Sequence, residues 1–173
     1  MYLETDRMIL RKFTMDDLND LYEIFGDPIV MKHVEPAYSI GKTKLFLEKF
    51  CINRQPPGAF AAMLKEGGKV VGYVLFNEQD SASIFEIGWI FNKDFWGRGL
   101  AFEICTRLIQ HGFEDMNLHK ICAQATDATK SVNLMQKLGM AQEGIQRKHT
   151  KSNDGKWLDL HLYAILADDH KEC

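Results

Sequence analysis

The sequence predicts an α+β fold in which a twisted, mixed and mostly antiparallel sheet is flanked by helices. Segments in which apolar and polar residues alternate indicate strands, whereas apolar residues three and four positions apart indicate helices. The order of these segments along the chain is β-α-α-β-β-β-α-β-α-β-β. Because three strands follow one another with no helix between them, this is not the repeating βαβ order of a doubly wound parallel sheet.

The first third of the chain is predicted to form one strand and two helices. Apolar residues alternate with charged ones in a strand near residues 2–12. Thr14 is expected to cap the first helix, which ends at the Gly-Asp-Pro sequence of residues 26–28. A second helix is expected over residues 41–53, where apolar residues recur at helical spacing.

The rest of the chain alternates between short strands and two more helices. One helix begins after the glycine-rich turn at residues 97–99 and ends near Phe113, and the other covers residues 131–138 and is closed by Gly139. Strands are predicted near residues 59–65, 69–78, 83–91, 120–126, 140–149 and 157–166.

Composition limits the classes of protein and partner. The 173 residues are 46% hydrophobic, which is enough apolar material for a single domain over residues 1–173. The 24 acidic and 21 basic residues are mixed along the sequence, so no basic stripe predicts a nucleic-acid partner. No apolar run reaches the roughly 18 residues of a membrane span, and residues 1–11 contain no apolar signal segment. We therefore expect a cytoplasmic protein that is neither secreted nor embedded in a membrane.

Cysteine and histidine spacing gives no indication of a metal centre. The four cysteines form no C-x-x-C pair and the six histidines are scattered, so we predict reduced, non-functional thiols and no metal. The chain also lacks the G-x-S-x-G elbow of serine hydrolases. The cysteines are Cys51, Cys105, Cys122 and Cys173.

The segment from residue 84 to residue 102 indicates an anion site. A strand runs into Gly97-Arg98-Gly99 and a helix begins directly afterwards, so backbone N–H groups at the positive end of a helix are free to bind a pyrophosphate. Glycine allows both the close approach of a phosphate and unusual backbone angles. An ordinary strand-to-helix turn is also compatible with this tripeptide alone.

Two other phosphate motifs are excluded. A dinucleotide-binding fingerprint needs a third glycine where Phe102 stands. The sequence Gly41-Lys42-Thr43 resembles the end of a Walker A loop, but Pro36 occupies the position of its first glycine.

Glu86 is the one charged residue in the apolar strand of residues 84–91, and it shares a face with Gly88 and Ile90. Burial would raise the pKa of this carboxyl and suit it to act as a general base on an ammonium substrate. A surface carboxylate on an open sheet face, or an ion-pair partner for a nearby arginine, is the structural alternative.

The sequence Phe-Trp-Gly-Arg-Gly-Leu-Ala at residues 95–101 resembles the coenzyme A signature of GNAT N-acetyltransferases. Gly99 and Ala101 match the signature, and Trp96 replaces its usual first residue as in the ribosomal-protein N-terminal acetyltransferase (RimJ/RimL-like) branch. That branch is also echoed, in order, by residues 5–11 with Asp16, by residues 27–31, 86–89, 131, 137–140, 143–144 and 147, and by residues 155–157, 159 and 163.

The resemblance implies the GNAT fold, with the central parallel strands at residues 83–91 and 120–126 splayed apart to admit the pantetheine arm of acetyl-CoA. The backbone of Ile90 and Phe91 is then expected to pair with the pantetheine amides. The residues expected around the pyrophosphate are Trp96, Gly97, Arg98, Gly99, Leu100 and Ala101.

The resemblance also implies direct attack of an amine on the thioester in a ternary complex. Glu86 occupies the position of the family's base. Many relatives protonate the departing thiolate with a tyrosine, but Met135 stands at that position, so Ser131 is expected to take this role and to contact the cofactor. Ala128 replaces an asparagine that usually contacts pantetheine.

The acceptor is expected to be a primary amine: a protein N-terminus or a small amine such as an amino acid, a polyamine or an antibiotic. An α-amine, with a pKa of about 8 against about 10.4 for lysine, is easier to deprotonate and modestly favours N-termini. Its pocket is expected between residues 26–38, the second helix and residues 150–157. An acyl-CoA-binding sensor without catalysis is the alternative function, and both a monomer and a homodimer are left open.

Overall fold

The computed structural model describes residues 1–79 and 81–171, which form one eight-stranded sheet with helices on both faces. The strand order is β1-β2-β3-β4-β5-β6-β8-β7, and each neighbouring pair is antiparallel except β5 and β6. This confirms the predicted mixed, mostly antiparallel sheet. The strands are β1 (Leu3–Glu4), β2 (Met8–Lys12), β3 (Ala59–Leu64), β4 (Val70–Glu78), β5 (Ile84–Phe91), β6 (Lys120–Ala125), β7 (Ala141–Lys151) and β8 (Trp157–Leu166).

The helices follow the predicted order, with one addition at the end of the chain. None of those within the described ranges is long and apolar enough to cross a membrane. They are α1 (Leu18–Phe25), α2 (Ile40–Phe46), α3 (Leu100–Glu114), α4 (Lys130–Lys137) and a short α5 (Ala167–Lys171), which the sequence analysis did not predict.

The predicted first strand is divided into two. The Thr5 N–H donates to the Met8 carbonyl at 3.0 Å, which closes a tight turn, and Leu3 then pairs with Leu10 in a hairpin. The turn residues contact Glu103 of α3, and this distant contact is not visible in the local alternation of residues 2–12.

The second predicted helix changes its winding halfway. After Phe46 the chain continues as a π-helix from Leu47 to Ile52, so the Asn53 N–H donates to the Glu48 carbonyl at 2.9 Å. The rings of Phe46 and Phe50 stack with their centroids 5.0 Å apart. Both rings thereby remain directed at the same face of the sheet.

The sheet separates two hydrophobic cores. Ile87 and Phe91 of β5 pack with buried residues of α3 and β6 such as Ile104 and Ile121. The opposite face carries the second core, which is built mainly from α1, the π-helix, β3 and β4, with Phe46 of α2 packed against it. Successive side chains of a strand point to opposite faces of the sheet. Because Ile87 faces the α3 side, the neighbouring Glu86 faces the α1–α2 side.

Strands β5 and β6 diverge halfway along their length. They pair in parallel only from Ile84–Lys120 to Glu86–Cys122, after which β5 stays paired with β4 as far as Phe91 and β6 stays paired with β8. The backbone edges that face each other beyond Glu86 are thus unpaired, as the predicted splay requires.

Candidate active site

The glycine turn before α3 has the backbone geometry of an anion site. Gly97 and Gly99 have φ angles of +74° and +75°, in the left-handed region that side chains other than glycine rarely adopt. Apart from Gly97 itself and its two neighbours in the chain, no described residue has an atom within 4 Å of the position that a Cβ of Gly97 would take, so one side of the turn is open. Gly99 directly precedes the 15-residue α3, whose first N–H groups lack helical partners. The turn can therefore bind an anion through its backbone.

The side chains of Trp96 and Arg98, on either side of Gly97, are hydrogen-bonded to backbone carbonyls. The Trp96 indole N–H donates to the Phe91 carbonyl at 2.8 Å and joins the turn to the end of β5. The Arg98 guanidinium donates to the Asp94 carbonyl at 3.1 Å and lies over the Phe95 ring. Of the residues predicted to bind the cofactor, Trp96 and Arg98 thus also shape the turn.

Leu100 and Ala101, the two residues after the turn, pack against the protein core, whereas the turn itself is open on one side. The Leu100 side chain is buried in the α3-side core, and Ala101 packs partly against the same core. Only their backbone N–H groups are therefore suited to contact a ligand at the helix end.

Arg7 braces the glycine turn, a role that the sequence analysis missed. Its Nη1 donates to the Arg98 carbonyl at 2.9 Å and its Nε donates to Glu103 at 2.6 Å, while the Thr5 hydroxyl donates to the same carboxylate at 2.6 Å. Partial burial alone would raise the pKa of Glu103, but these hydrogen bonds outweigh it and lower the pKa. The only signal was family resemblance in residues 5–11, which specifies no contact.

Ser131 lies inside α4 and does not cap it. The Asp127 carboxylate accepts hydrogen bonds from the N–H groups of Thr129, at 2.9 Å, and Lys130, at 3.3 Å, and so caps the helix instead. Within the described residues the Ser131 hydroxyl has no hydrogen-bond partner, and it borders a small cavity of about 50 Å³ between β5 and β6. The hydroxyl is therefore free to contact a ligand in the gap.

Two residues near Ser131, Ala128 and Met135, differ from those usual in the family. Met135 is fully buried in the α3-side core, and Ala128 is exposed in the loop before α4. The Lys130 ammonium lies 4.3 Å from the centre of the Trp96 ring, so the start of α4 contacts the glycine turn across the gap.

Glu86 lies at the point where β5 and β6 diverge. Its side chain is partly buried, and its carboxylate accepts a hydrogen bond from Gln79 at 3.0 Å. Burial raises the pKa of Glu86, and a hydrogen bond with Gln124 only partly opposes that shift. A carboxylate with a raised pKa is a better proton acceptor than an exposed one.

A cavity of about 600 Å³ opens on the α1–α2 side of β5, and Glu86 is part of its wall. The segments predicted to form the acceptor pocket all border it: residues 31–35 before α2, Phe46 and Phe50, and residues 150–153. The Asn153 amide donates to the Met31 carbonyl at 3.4 Å, which ties the β7–β8 turn to the opposite wall.

Gly88, Trp89 and Gln124 line both this large cavity and the small one beside Ser131. The two cavities therefore meet at the gap between β5 and β6. Phe25, Tyr73 and His149 also line the large cavity, and sequence analysis had assigned none of them to it. They come from separate elements, so no local pattern brings them together.

The described residues contain no cluster of His, Cys, Asp or Glu that could hold a metal ion. Cys51 and Cys105 are buried, and burial raises the pKa of the Cys51 thiol to about 12, which makes it a poor nucleophile. Cys122 is partly buried and unpaired. Cys173 lies outside the described residues.

Comparison with known proteins gives the same assignment over nearly the whole chain. A family model described as acetyltransferase (GNAT) domain matches residues 7–141. The uncharacterized N-acetyltransferase YnaD of Bacillus subtilis is 30% identical over 172 residues, which cover 98% of this chain and 99% of the relative. The crystal structure of a GNAT-family acetyltransferase from Bacillus anthracis superposes with a TM-score of 0.88 at 29% identity, covering 97% of this chain and 99% of that one.

Two more distant structures share the fold. A ribosomal-protein-S5-alanine acetyltransferase from Vibrio fischeri has a TM-score of 0.79 at 22% identity and covers 98% of both chains. A spermidine N-acetyltransferase from Vibrio cholerae, in complex with CoA and spermine, has a TM-score of 0.79 at 21% identity, covering 96% of this chain and 99% of that one. Proteins with different acceptors thus share this architecture.

Proposed function

The chain belongs to the GNAT acetyltransferase family, and from that premise we propose that it transfers the acetyl group of acetyl-CoA to a primary amine by direct attack in a ternary complex. The observation that carries the proposal is the meeting of two cavities at Gly88, Trp89 and Gln124, with Glu86 in the wall of the larger one. The larger cavity suits an amine, and the smaller one lies in the gap between β5 and β6 beside Ser131.

The gap between β5 and β6 and the open glycine turn fit acetyl-CoA, which supplies the activated acetyl thioester. The edge of β5 at Ile90 and Phe91, which pairs with β4 but not with β6, would bind the pantetheine amides, as strands bind an added strand. Residues 97–101 would hold the pyrophosphate through backbone N–H groups. The Phe91 carbonyl already accepts from Trp96, so its remaining lone pair is the one available.

Glu86 acts as the base in this proposal. Its carboxylate takes a proton from the ammonium of the acceptor, directly or through a water, and leaves a neutral nucleophile. A backbone N–H between Trp89 and Phe91 donates to the carbonyl oxygen as negative charge develops there. The unpaired edge of β5 beyond Glu86 supports this role, since no strand occupies its donors on that side.

Ser131 donates a proton to the departing thiolate. Its hydroxyl has no other partner in the described structure and borders the small cavity, whereas Met135, at the usual tyrosine position, is buried and has no proton to give. The proposed function covers two kinds of acceptor, a protein N-terminus and a small amine, and the RimJ/RimL-like motifs are in keeping with both.

An acyl-CoA-binding sensor is the second candidate, favoured by the exposed Ala128 and the buried Met135 at two positions where relatives carry functional side chains. A thiol-release screen separates the two functions. Acetyl-CoA is presented with N-terminal peptides, amino acids, polyamines and aminoglycosides, and Glu86→Gln serves as the matched inactive control. Turnover above that control supports the transferase, while calorimetric binding of acetyl-CoA without turnover across the panel supports the sensor.

A further inference from the structure

The charges around the large cavity are unevenly distributed. Glu35 and Glu86 are its carboxylates, but Glu35 already accepts hydrogen bonds from the Tyr38 hydroxyl at 3.0 Å and from the Lys42 ammonium at 3.2 Å. The hydrogen-bond partners of Glu86 are the uncharged amides of Gln79 and Gln124. Among the described residues that line the cavity, Glu86 is therefore the one carboxylate without a cationic partner.

Two lysines of the cavity wall have the opposite character. Lys32 and Lys151 form no ion pair with any other residue in the described ranges, and the Lys151 ammonium lies 5.0 Å from the centre of the Trp157 ring. They come from opposite walls, the segment before α2 and the end of β7. Beside one free carboxylate, the cavity thus presents two unpaired cations.

The inner wall of the cavity is aromatic. Phe46 lies at its centre, with ring centroids 5.3 Å from Phe25, 5.0 Å from Phe50 and 5.9 Å from Tyr73. These four side chains all border the cavity. Its volume of about 600 Å³ falls within the range typical of small-molecule sites. The wall suits an apolar or aromatic group of modest size.

We propose that the acceptor is an α-amino acid, or a close analogue, with an apolar or aromatic side chain; this inference rests on the proposed function. Its ammonium lies at Glu86, its carboxylate is attracted by Lys32 and Lys151, and its side chain packs on the aromatic wall. A polyamine would bring further ammonium groups next to two unpaired lysines, and this repulsion disfavours it. The cavity is thus built differently from one that must neutralise several cations.

The test compares acceptors that differ in one group. L-Phenylalanine, L-phenylalaninamide and phenethylamine share one aromatic ring, but only the first has a carboxylate. We expect kcat/KM for phenylalanine to exceed that for the amide and for phenethylamine by about tenfold or more, and to exceed that for spermidine by a larger factor. A preference for spermidine, or equal rates for phenylalanine and its amide, would overturn the inference.

Charge reversal in the same 173-residue chain provides the second arm of the test. Lys32→Glu and Lys151→Glu, alone and combined, should lower kcat/KM for phenylalanine about tenfold or more and raise it for spermidine, with little change for phenethylamine. Lys137→Glu, an exposed lysine in the last turn of α4, makes the same charge change away from the cavity and should alter none of these values. Identical acceptor ratios in the reversed and control variants would contradict the proposal.

Calorimetry with phenylalanine in the presence of CoA distinguishes failure of this inference from failure of the proposed function. Binding that depends on Lys32 and Lys151, without acetylation of any amine, would support the acceptor class and overturn the transferase proposal. Acetylation of polyamines or N-terminal peptides in preference to amino acids would support the transferase proposal and overturn the proposed acceptor class. If amino acids are neither bound nor acetylated, the proposed acceptor class is wrong.

Discussion

The glycine turn and the large cavity are built on different principles. The turn occupies one continuous segment, and its shape depends on backbone angles at Gly97 and Gly99. The cavity is formed by residues from α1, α2, the π-helix, the five strands β4 to β8 and the loops between these elements. A site made from backbone is sensitive to any side chain placed on it, whereas a site made from many side chains changes gradually. Substitutions in the two regions should therefore differ in kind.

The largest expected effect is in the turn. Gly99→Glu puts a side chain at a φ of +75° and a negative charge beside the proposed pyrophosphate site. Like-charge contacts of this sort cost several kcal/mol, so the affinity for acetyl-CoA should fall by on the order of 100-fold or more. Wild-type protein should be stabilised against heat by acetyl-CoA, and this variant should not.

Gly67→Glu is the matched control, since Gly67 has a φ of +76° in the exposed β3–β4 turn with no other atom near its Cβ position. It carries the same backbone strain and charge without the site, and it should retain the thermal shift. Normal cofactor binding by Gly99→Glu would mean that the pyrophosphate lies elsewhere.

In the cavity, Glu86→Gln should lower turnover on the order of 100-fold while acetyl-CoA affinity changes little. The loss should shrink at higher pH, because the amine then deprotonates without a base. In the wild type, the raised pKa of Glu86 places the acidic limb of the pH–rate profile above the range of an ordinary glutamate. Steady-state rates across pH measure both effects, and full activity of the variant near neutrality would remove Glu86 as the base.

Although Glu86→Gln should lower turnover, it is not expected to lower the stability of the fold. Because burial raises the pKa of Glu86, its contribution to folding stability is fully present below its unfolded pKa and is lost as pH rises through the folded pKa. At neutral pH Glu86→Gln should therefore not lower the Tm. A drop in Tm that accompanies the drop in activity at every pH would indicate a structural carboxylate instead.

Arg7→Ala tests the brace behind the turn and should weaken acetyl-CoA binding roughly tenfold, since it removes a hydrogen bond to the turn and leaves the Glu103 charge uncompensated. Adding Glu103→Gln should restore part of the affinity, as expected for coupled residues. Lys65→Ala breaks the pair with Glu4 in the neighbouring hairpin and should leave cofactor affinity unchanged. Equal calorimetric affinities for Arg7→Ala and Lys65→Ala would show that the brace does not shape the turn.

Ser131→Ala should have the smallest effect, a few-fold loss of turnover, because a thiolate is a good leaving group that needs little help from an acid. Ser39→Ala, which removes a cap at the start of α2, is the control for a serine at a helix N-terminus. Ser39→Ala is expected to affect Tm more than turnover, and Ser131→Ala the reverse. Unchanged turnover in Ser131→Ala would leave a solvent molecule as the proton donor.

The contrast between the two regions also explains what could be predicted. Strand and helix order and the glycine turn depend on local patterns or on a motif in one segment, and the sequence analysis located them. The splay of β5 and β6 was expected only from the family resemblance. The division of the first strand depends on Glu103, roughly a hundred residues away, and the π-helix after Phe46 depends on packing against the sheet. The role of Arg7 arises from contacts between distant segments, which no local pattern encodes. Lys32 and Lys151 are likewise distant in the sequence and border one cavity only in the folded chain.

The divergence of β5 and β6 has a mechanical consequence. Strands β1 to β5 on one side and β6 to β8 on the other are joined within the sheet by the three register pairs from Ile84–Lys120 to Glu86–Cys122. This seam is shorter than the β4–β5 and β6–β8 pairings on either side of it, and a molecule bound in the gap would connect the two sides along the rest of their length. Amide exchange at Ile121 and Cys122 should then slow when the gap is filled, because opening of the seam would require release of the bound molecule. The gap makes the ligand a structural tie between two parts of one sheet.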